Sequence, residues 1–234
     1  MDSIEKTNYN HHYQLNSKYL LPILMIYLMV TLAADVVAYK FIQIGPLVES
    51  GATLVFPITY LLGDVVTEIY GYAIARKFIW LNLICELIFS VIIFIIIHLD
   101  PPSFSHNQAA FNTVLGNTMR FVTAGIIANI ISDFLNIYLI SKWKVLLKGR
   151  HFWFRSLAST AISEFFLVII TGFTAFTGTI ALTDVVHIAA SAYILEIFYA
   201  LLFVWPGWIL IVYLKKSEKI DVFDHGINYN IFRY

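Results

Sequence analysis

The sequence predicts an all-α membrane protein, a six-transmembrane-helix bundle. Of the 234 residues, 59% are hydrophobic and 13% are charged, whereas soluble domains carry about a quarter charged residues. Mean hydropathy is +0.77. The apolar residues also gather into six runs, each long enough at about 20 residues to cross a hydrocarbon layer of roughly 30 Å. Fifteen basic and fifteen acidic residues give a formal net charge of zero. No basic run exceeds two residues, so nothing points to a nucleic-acid partner. The single cysteine, Cys85, lies in the apolar run FIWLNLICELIFSVIIFIII and excludes both an intramolecular disulfide and a multi-cysteine metal site.

Residues 1–18, MDSIEKTNYNHHYQLNSK, form a polar N-terminal tail. The first apolar run is therefore not introduced as a cleavable signal peptide would be, and reads as an uncleaved span. Spans are expected at about 19–43, 51–72, 75–98, 118–141, 156–180 and 186–214, making one membrane domain over 19–215, with a C-terminal tail at 216–234. Asp100-Pro101-Pro102 stops the third span, because proline lacks the amide donor and disfavours helix in the residue before it. SKWKVLLKGRHFWFR, between spans four and five, offers tryptophan and phenylalanine to an interfacial helix. With the termini and even-numbered connections on one side, thirteen basic residues lie there and only Lys40 and Arg120 opposite. This asymmetry places both termini in the cytoplasm.

Seven acids fall within the expected spans: Asp35, Asp64, Glu68, Glu86, Asp133, Glu164 and Glu196. Each costs about 2.5–3.5 kcal/mol at a helix centre, so most must face the bundle interior. In span four, Asn129, Asp133 and Asn136 share one face. In span five, Ser156, Thr160 and Glu164 do the same, with Ser159 and Ser163 alongside; in span six, Glu196 has Tyr193 on a neighbouring ridge. Adhesion between helices is one reading of such stripes, and it is the one taken for the hydroxyls and Glu86. Asp133, Glu164 and Glu196 instead read as a ligand site, because no basic residue within the expected spans neutralises them. One cavity should then collect them, walled by Asn129, Ser159, Thr160, Ser163 and Tyr193, with the rings of Phe165 and Tyr199 near those acids.

FPITYLLGDVVTEIYGYAIARK (56–77) has a different logic. Asp64 and Glu68 lie one turn apart, Gly71 permits a tight turn, and Arg76 and Lys77 follow across it. A carboxylate–guanidinium clamp to Arg76 is the physical expectation, serving either as a hairpin staple or as a cytoplasmic gate. Gly63, Glu68, Gly71 and Arg76 also resemble the loop 2–3 motif of major facilitator carriers, in a chain of six spans rather than twelve. An enzyme is disfavoured: His11, His12, His98, His106, His151, His187 and His225 form no metal spacing, and no nucleophile elbow or phosphate-cradling loop is present. No cofactor, metal or catalytic residue is expected.

Phe56, Pro57, Tyr60, Asp64, Thr67, Glu68, Tyr70, Gly71, Ala75 and Arg76 together resemble the signature of the queuosine precursor transporter family, also called vitamin uptake transporter-like. With the six-span layout, the resemblance covers about residues 20–215. It implies a multi-pass carrier in the bacterial inner membrane that imports 7-deazaguanine bases (preQ0, preQ1 or queuine) for tRNA queuosine modification. The family usually places Gln-x-x-Asp in span four, where this chain has Asp133 and Asn136. It repeats the pair in span five after Ser-Thr, here Ser159-Thr160, where this chain has Glu164 and Leu167. Glu196 stands where some members have lysine. A carboxylate accepts the adjacent N1–H and amine of such a base bidentately, so Glu164 is the expected reader of that edge. Six spans also fit the substrate-binding subunit of an ATP-energised vitamin-type transporter. An ATPase partner and a homo-oligomer both stay open at this point.

Overall fold

The computed structural model describes residues 17–176 and 178–233. Nearly all of the N-terminal tail, with His11 and His12, lies outside them, as does Tyr234. The elements run α1 (Leu20–Val37), a hairpin of β1 (Phe41–Ile44) and β2 (Leu47–Ser50), a 3-10 turn (Gly51–Leu54), α2 (Phe56–Tyr70) and α3 (Tyr72–Ile97). There follow α4 (Gln108–Leu115), α5 (Thr118–Leu146), α6 (Phe152–Thr171), a widened π turn (Gly172–Phe176) and α7 (Leu182–Glu218).

The chain is an all-α membrane protein apart from that hairpin. Among the described residues, five stretches are long and apolar enough to cross a membrane: Leu20–Val37, Tyr72–Ile97, Gln108–Leu146, Phe152–Phe176 and Leu182–Glu218. The expected second span is the exception. As α2 it has 15 residues, roughly 22 Å at about 1.5 Å per residue, and two buried carboxylates. Polarity is inverted relative to a water-soluble fold. Leu81, Ile84, Ile88, Ile92 and Ile95 of α3 and Ile194, Phe198, Leu202, Trp205 and Ile209 of α7 face outward, while Asp35, Asp64, Glu68, Glu86, Asp133, Glu164 and Glu196 are buried. Hydrocarbon surroundings demand that arrangement.

The start of α1 and the ends of α2 and α7 meet. Ser17 Oγ and the Tyr19 amide donate to Glu218 Oε1 at 2.5 and 2.9 Å, and the Tyr70 hydroxyl donates to Glu218 Oε2. Lys144 of α5 and Arg155 of α6 reach Glu68 at this same end, hereafter the basic end. The hairpin and the π turn close the opposite end, where the Tyr39 ring packs on Phe121 and Phe176 at 5.8 and 5.6 Å.

Three boundaries differ from the sequence reading. The first span stops at Val37, and residues 41–50 form an antiparallel ladder, Phe41 opposite Ser50 and Ile44 opposite Leu47. Gly45, φ 61°, opens its two-residue turn, the position where such hairpins favour glycine. The connection between spans four and five holds no separate interfacial helix: α5 continues through Lys144 to Leu146, and a tight turn with Lys148, Gly149 and His151 at positive φ leads into α6. The short extra helix is α4, before the fourth span.

The C-terminal tail is a strap across the basic end. The Val222 amide donates to the Ile69 carbonyl at 3.0 Å. Asp224 Oδ2 accepts from the Tyr72 amide at 2.9 Å and from Ser141 Oγ at 2.6 Å. Trp80 Nε1 donates to the Ile231 carbonyl at 2.8 Å. Gly71, φ 82°, makes room for it: a Cβ there would stand 2.8 Å from Asp224 Oδ1 and from Val222 Cγ1. Gly71→Ala therefore combines backbone strain with a clash and should cost about 1–3 kcal/mol. The check is a lower melting temperature in detergent with faster proteolysis of the last fifteen or so residues; wild-type behaviour in both would refute the strap's dependence on Gly71.

Candidate functional site

Two cavities open inside the helix bundle, and they share one carboxylate. The larger holds about 660 Å³ and lies toward the hairpin end. Asp35 (α1), Glu86 (α3), Asn129 (α5) and Glu196 (α7) supply its polar lining, with Ser50 and Thr53; Phe56, Phe121 and Phe176 give it aromatic walls. The smaller, about 370 Å³, is lined by Tyr60 and Asp64 of α2, Ser156, Thr160 and Glu164 of α6, and Glu196, Ala200 and Phe203 of α7. The π turn that follows α6 puts Gly172 and Phe176 on the larger cavity's wall, and such widened turns often sit at functional sites.

The buried carboxylates divide into satisfied and unsatisfied groups. Asp64 accepts from Asn136 Nδ2 at 2.8 Å and from Ser156 Oγ. Glu68 is held by Arg155 Nη1 at 2.8 Å, Lys215 Nζ at 2.8 Å and Lys144 Nζ at 3.8 Å. By contrast, both Glu164 oxygens, Glu196 Oε2, Asp35 Oδ2 and Glu49 Oε1 are buried without a hydrogen-bond partner. Glu164 lies beside Glu196 and Tyr60, with Asp133 in electrostatic reach; none of these contacts has the geometry of a full hydrogen bond. In the hairpin, burial pushes the Glu49 carboxyl up to about 7; the Glu196 charge adds to this and the Thr53 hydrogen bond opposes it.

The residues singled out from sequence are thus distributed, not gathered in one chamber. Asn129 lines the larger cavity, Thr160 and Glu164 the smaller, and Glu196 both. Asp133 is buried and close enough to Glu164 to act on it electrostatically, yet lines neither cavity. Asn136 serves Asp64. Ser159 and Ser163 return their hydroxyls to α6 carbonyls at 3.0 and 2.9 Å, the ordinary fate of a serine inside a helix. Tyr193 donates to the Ala161 carbonyl at 3.1 Å and packs edge-on against Phe165. Phe165 is exposed, and neither it nor Tyr199 lines either cavity.

The expected clamp between Arg76 and the Asp64/Glu68 pair is replaced. Arg76 Nη1 donates to the Asn230 carbonyl at 2.6 Å and to that of Asn228 at 3.5 Å, tying the strap to α3. Thr67 Oγ1 donates to the Gly63 carbonyl. The physical reason lies in the helix ends. Because α5 and α6 extend past the expected span boundaries, Lys144 and Arg155 enter the bundle and claim Glu68. Lys144 and Lys215 also bind Asp221 of the strap at 2.5 and 2.9 Å. Burial would raise the Asp221 carboxyl, but these two ammonium hydrogen bonds outweigh it and hold the group below its usual range. Sequence reasoning missed Asp35 and Glu86 as cavity residues. The signal was present in Asn82, Glu86 and Ser90, an i, i+4, i+8 stripe of the same kind as those on the later spans, with Asn82 Nδ2 donating to Glu86 Oε1 at 2.9 Å.

A multi-pass membrane fold with polar chambers inside it fits a carrier, and the comparisons give the class. The chain belongs to the family described as putative vitamin uptake transporter, whose profile matches residues 50–211. The protein is accordingly a membrane transporter, of a family that is not one of enzymes. A curated relative from Bacillus subtilis (strain 168), named "Probable queuosine precursor transporter", is 27% identical over 167 residues, covering 71% of this chain and 73% of its own length. No solved structure matches the chain.

Proposed function

We propose that the protein imports queuosine precursors, 7-deazaguanine bases such as preQ0, preQ1 or queuine, across the bacterial inner membrane for tRNA modification. The observation that carries this reading is the pair Glu164 and Glu196. Buried carboxylate oxygens without donors are costly, and a 7-deazaguanine edge offers the two adjacent donors, N1–H and the amine, that a carboxylate accepts. The relative's name and the signature at 56–76 point to the same substrates. The two cavities form consecutive stations: a base enters the larger one from the hairpin end, passes Glu196, and presents its donor edge to Glu164 in the smaller. Asp133 contributes charge from behind that site. Glu68, with its three cations, and the strap close the route at the basic end. Uptake of labelled preQ0, preQ1 and queuine by cells unable to make or import them tests the reading. Accumulation of at least one base only when this protein is present is the expected result; uptake equal to that of empty cells, with protein in the membrane, would refute it.

We infer also that the short helix α2 completes a sixth crossing and that both termini face the cytoplasm. The meeting of Ser17 with Glu218 supports an even number of passes, and the excess of basic residues at that end supports the sidedness. Reporter fusions at Asn107 and at the C-terminus should read opposite sides of the membrane. The same side for both would end the six-span topology.

A further inference from the structure

Among the described residues, two of the four buried carboxylates with an unpartnered oxygen, Asp35 and Glu196, line the larger cavity. Where the fold uses a buried acid structurally it supplies donors: Glu68 has Arg155 and Lys215, Asp64 has Asn136 and Ser156, Asp224 has the Tyr72 amide and Ser141. At the larger cavity Asn82 Nδ2 serves Glu86, but Asp35 and Glu196, 5% and 6% exposed, are each left with one oxygen without a hydrogen-bond partner. Glu86, 2% exposed, joins them from a third helix. No lysine, arginine or histidine is among the lining residues. Three carboxylates from α1, α3 and α7 thus face a chamber whose other walls include Phe56, Phe121 and Phe176.

We propose that this cavity selects a flat aromatic base bearing a protonated primary amine, with Asp35 and Glu86 accepting the ammonium group and Glu196 the ring's donor edge. The proposal rests on the import of deazaguanines and narrows it to the aminomethyl-bearing base, preQ1, over the nitrile-bearing one, preQ0. Donor arithmetic favours it. The ring edge supplies two N–H groups, enough for one carboxylate, and leaves Asp35 and Glu86 without a donor from the ligand. An ammonium adds three donors and a positive charge. A nitrile adds only an acceptor, which would face carboxylate oxygens. The phenylalanine rings supply stacking surface for the base and a favourable quadrupole for the cation.

Uptake of the two labelled bases, each competed by the other, tests this in cells that lack their own synthesis and import. The native protein should take up the aminomethyl base at least tenfold better than the nitrile base at equal concentration. Asp35→Asn and Glu86→Gln, both nearly isosteric, should each lower that ratio by about tenfold, whatever they do to total uptake. Equal uptake, preference for the nitrile base, or an unchanged ratio in both variants would overturn the proposal while leaving deazaguanine import standing. Uptake of neither base by the native protein would overturn the import reading and this proposal with it. The competition on the native protein needs no variant to fold.

Discussion

Glu68→Ala should remove a large share of the protein's stability, and more than Arg76→Ala. Glu68 is 1% exposed and neutralises a fully buried Arg155, a buried Lys144 and a partly buried Lys215. Deleting one member of such a network strands the remaining charges in a poor solvent for them, at about 3–5 kcal/mol, a large share of a typical stability of roughly 5–15 kcal/mol. Arg155 is the more vulnerable cation, since its Nη2 already lacks a partner and its Nε holds only the Arg150 carbonyl at 3.1 Å. Arg76 donates to two strap carbonyls, so its loss should cost about 1.5–3 kcal/mol. Melting of detergent-solubilised protein, followed by the monodisperse fraction in size-exclusion chromatography, checks the order. A Glu68→Ala protein that melts within a degree or two of wild type would show that the network holds nothing together.

Glu164→Leu should separate stability from transport. A fully buried carboxyl beside a second acid, with no hydrogen bond of full geometry, is a burden on the fold, so a leucine of similar size should leave the melting temperature unchanged or higher. The stability–activity trade-off of functional sites has this form. Transport should fall roughly a hundredfold or more, because two charge-assisted hydrogen bonds at about 1.5–3 kcal/mol each disappear. Glu164→Gln keeps one acceptor and should lose roughly tenfold. Full uptake by the leucine variant would remove Glu164 from the site, and a collapsed leucine variant with active glutamine variant would make its role structural.

Much of the bundle was legible because hydrocarbon imposes a length and a polarity that composition alone reveals. The same windows failed where polarity and length compete. Span one was drawn to residue 43 because Phe41 and Ile42 are apolar, although FIQI and LVES around Gly45-Pro46 carry the two-residue turn of a hairpin. Lys144 and Arg155 were left out of the expected spans by a window that rejects charge, and that omission gave Glu68 the wrong partner. The acids themselves were visible, as were Glu164 and Glu196 as cavity carboxylates. Which acids would meet was not, because convergence of Asp35, Glu86 and Glu196 depends on how α1, α3 and α7 pack, and no single-helix stripe encodes that. The strap at 219–233 has no periodicity to detect. Many of its hydrogen bonds run from distant side chains to strap carbonyls, as from Arg76 to Asn230 and Trp80 to Ile231, which sequence spacing does not express.

The most direct measurement is uptake by the purified protein in sealed liposomes loaded with buffer alone. Labelled preQ1 and preQ0 should enter these vesicles faster than protein-free ones, saturably, with entry suppressed by excess unlabelled base and lost in Glu196→Leu. Entry at the protein-free rate for every 7-deazaguanine tested, from a monodisperse and correctly inserted preparation with an ion gradient imposed in either direction, would contradict the assignment of these cavities to a deazaguanine carrier.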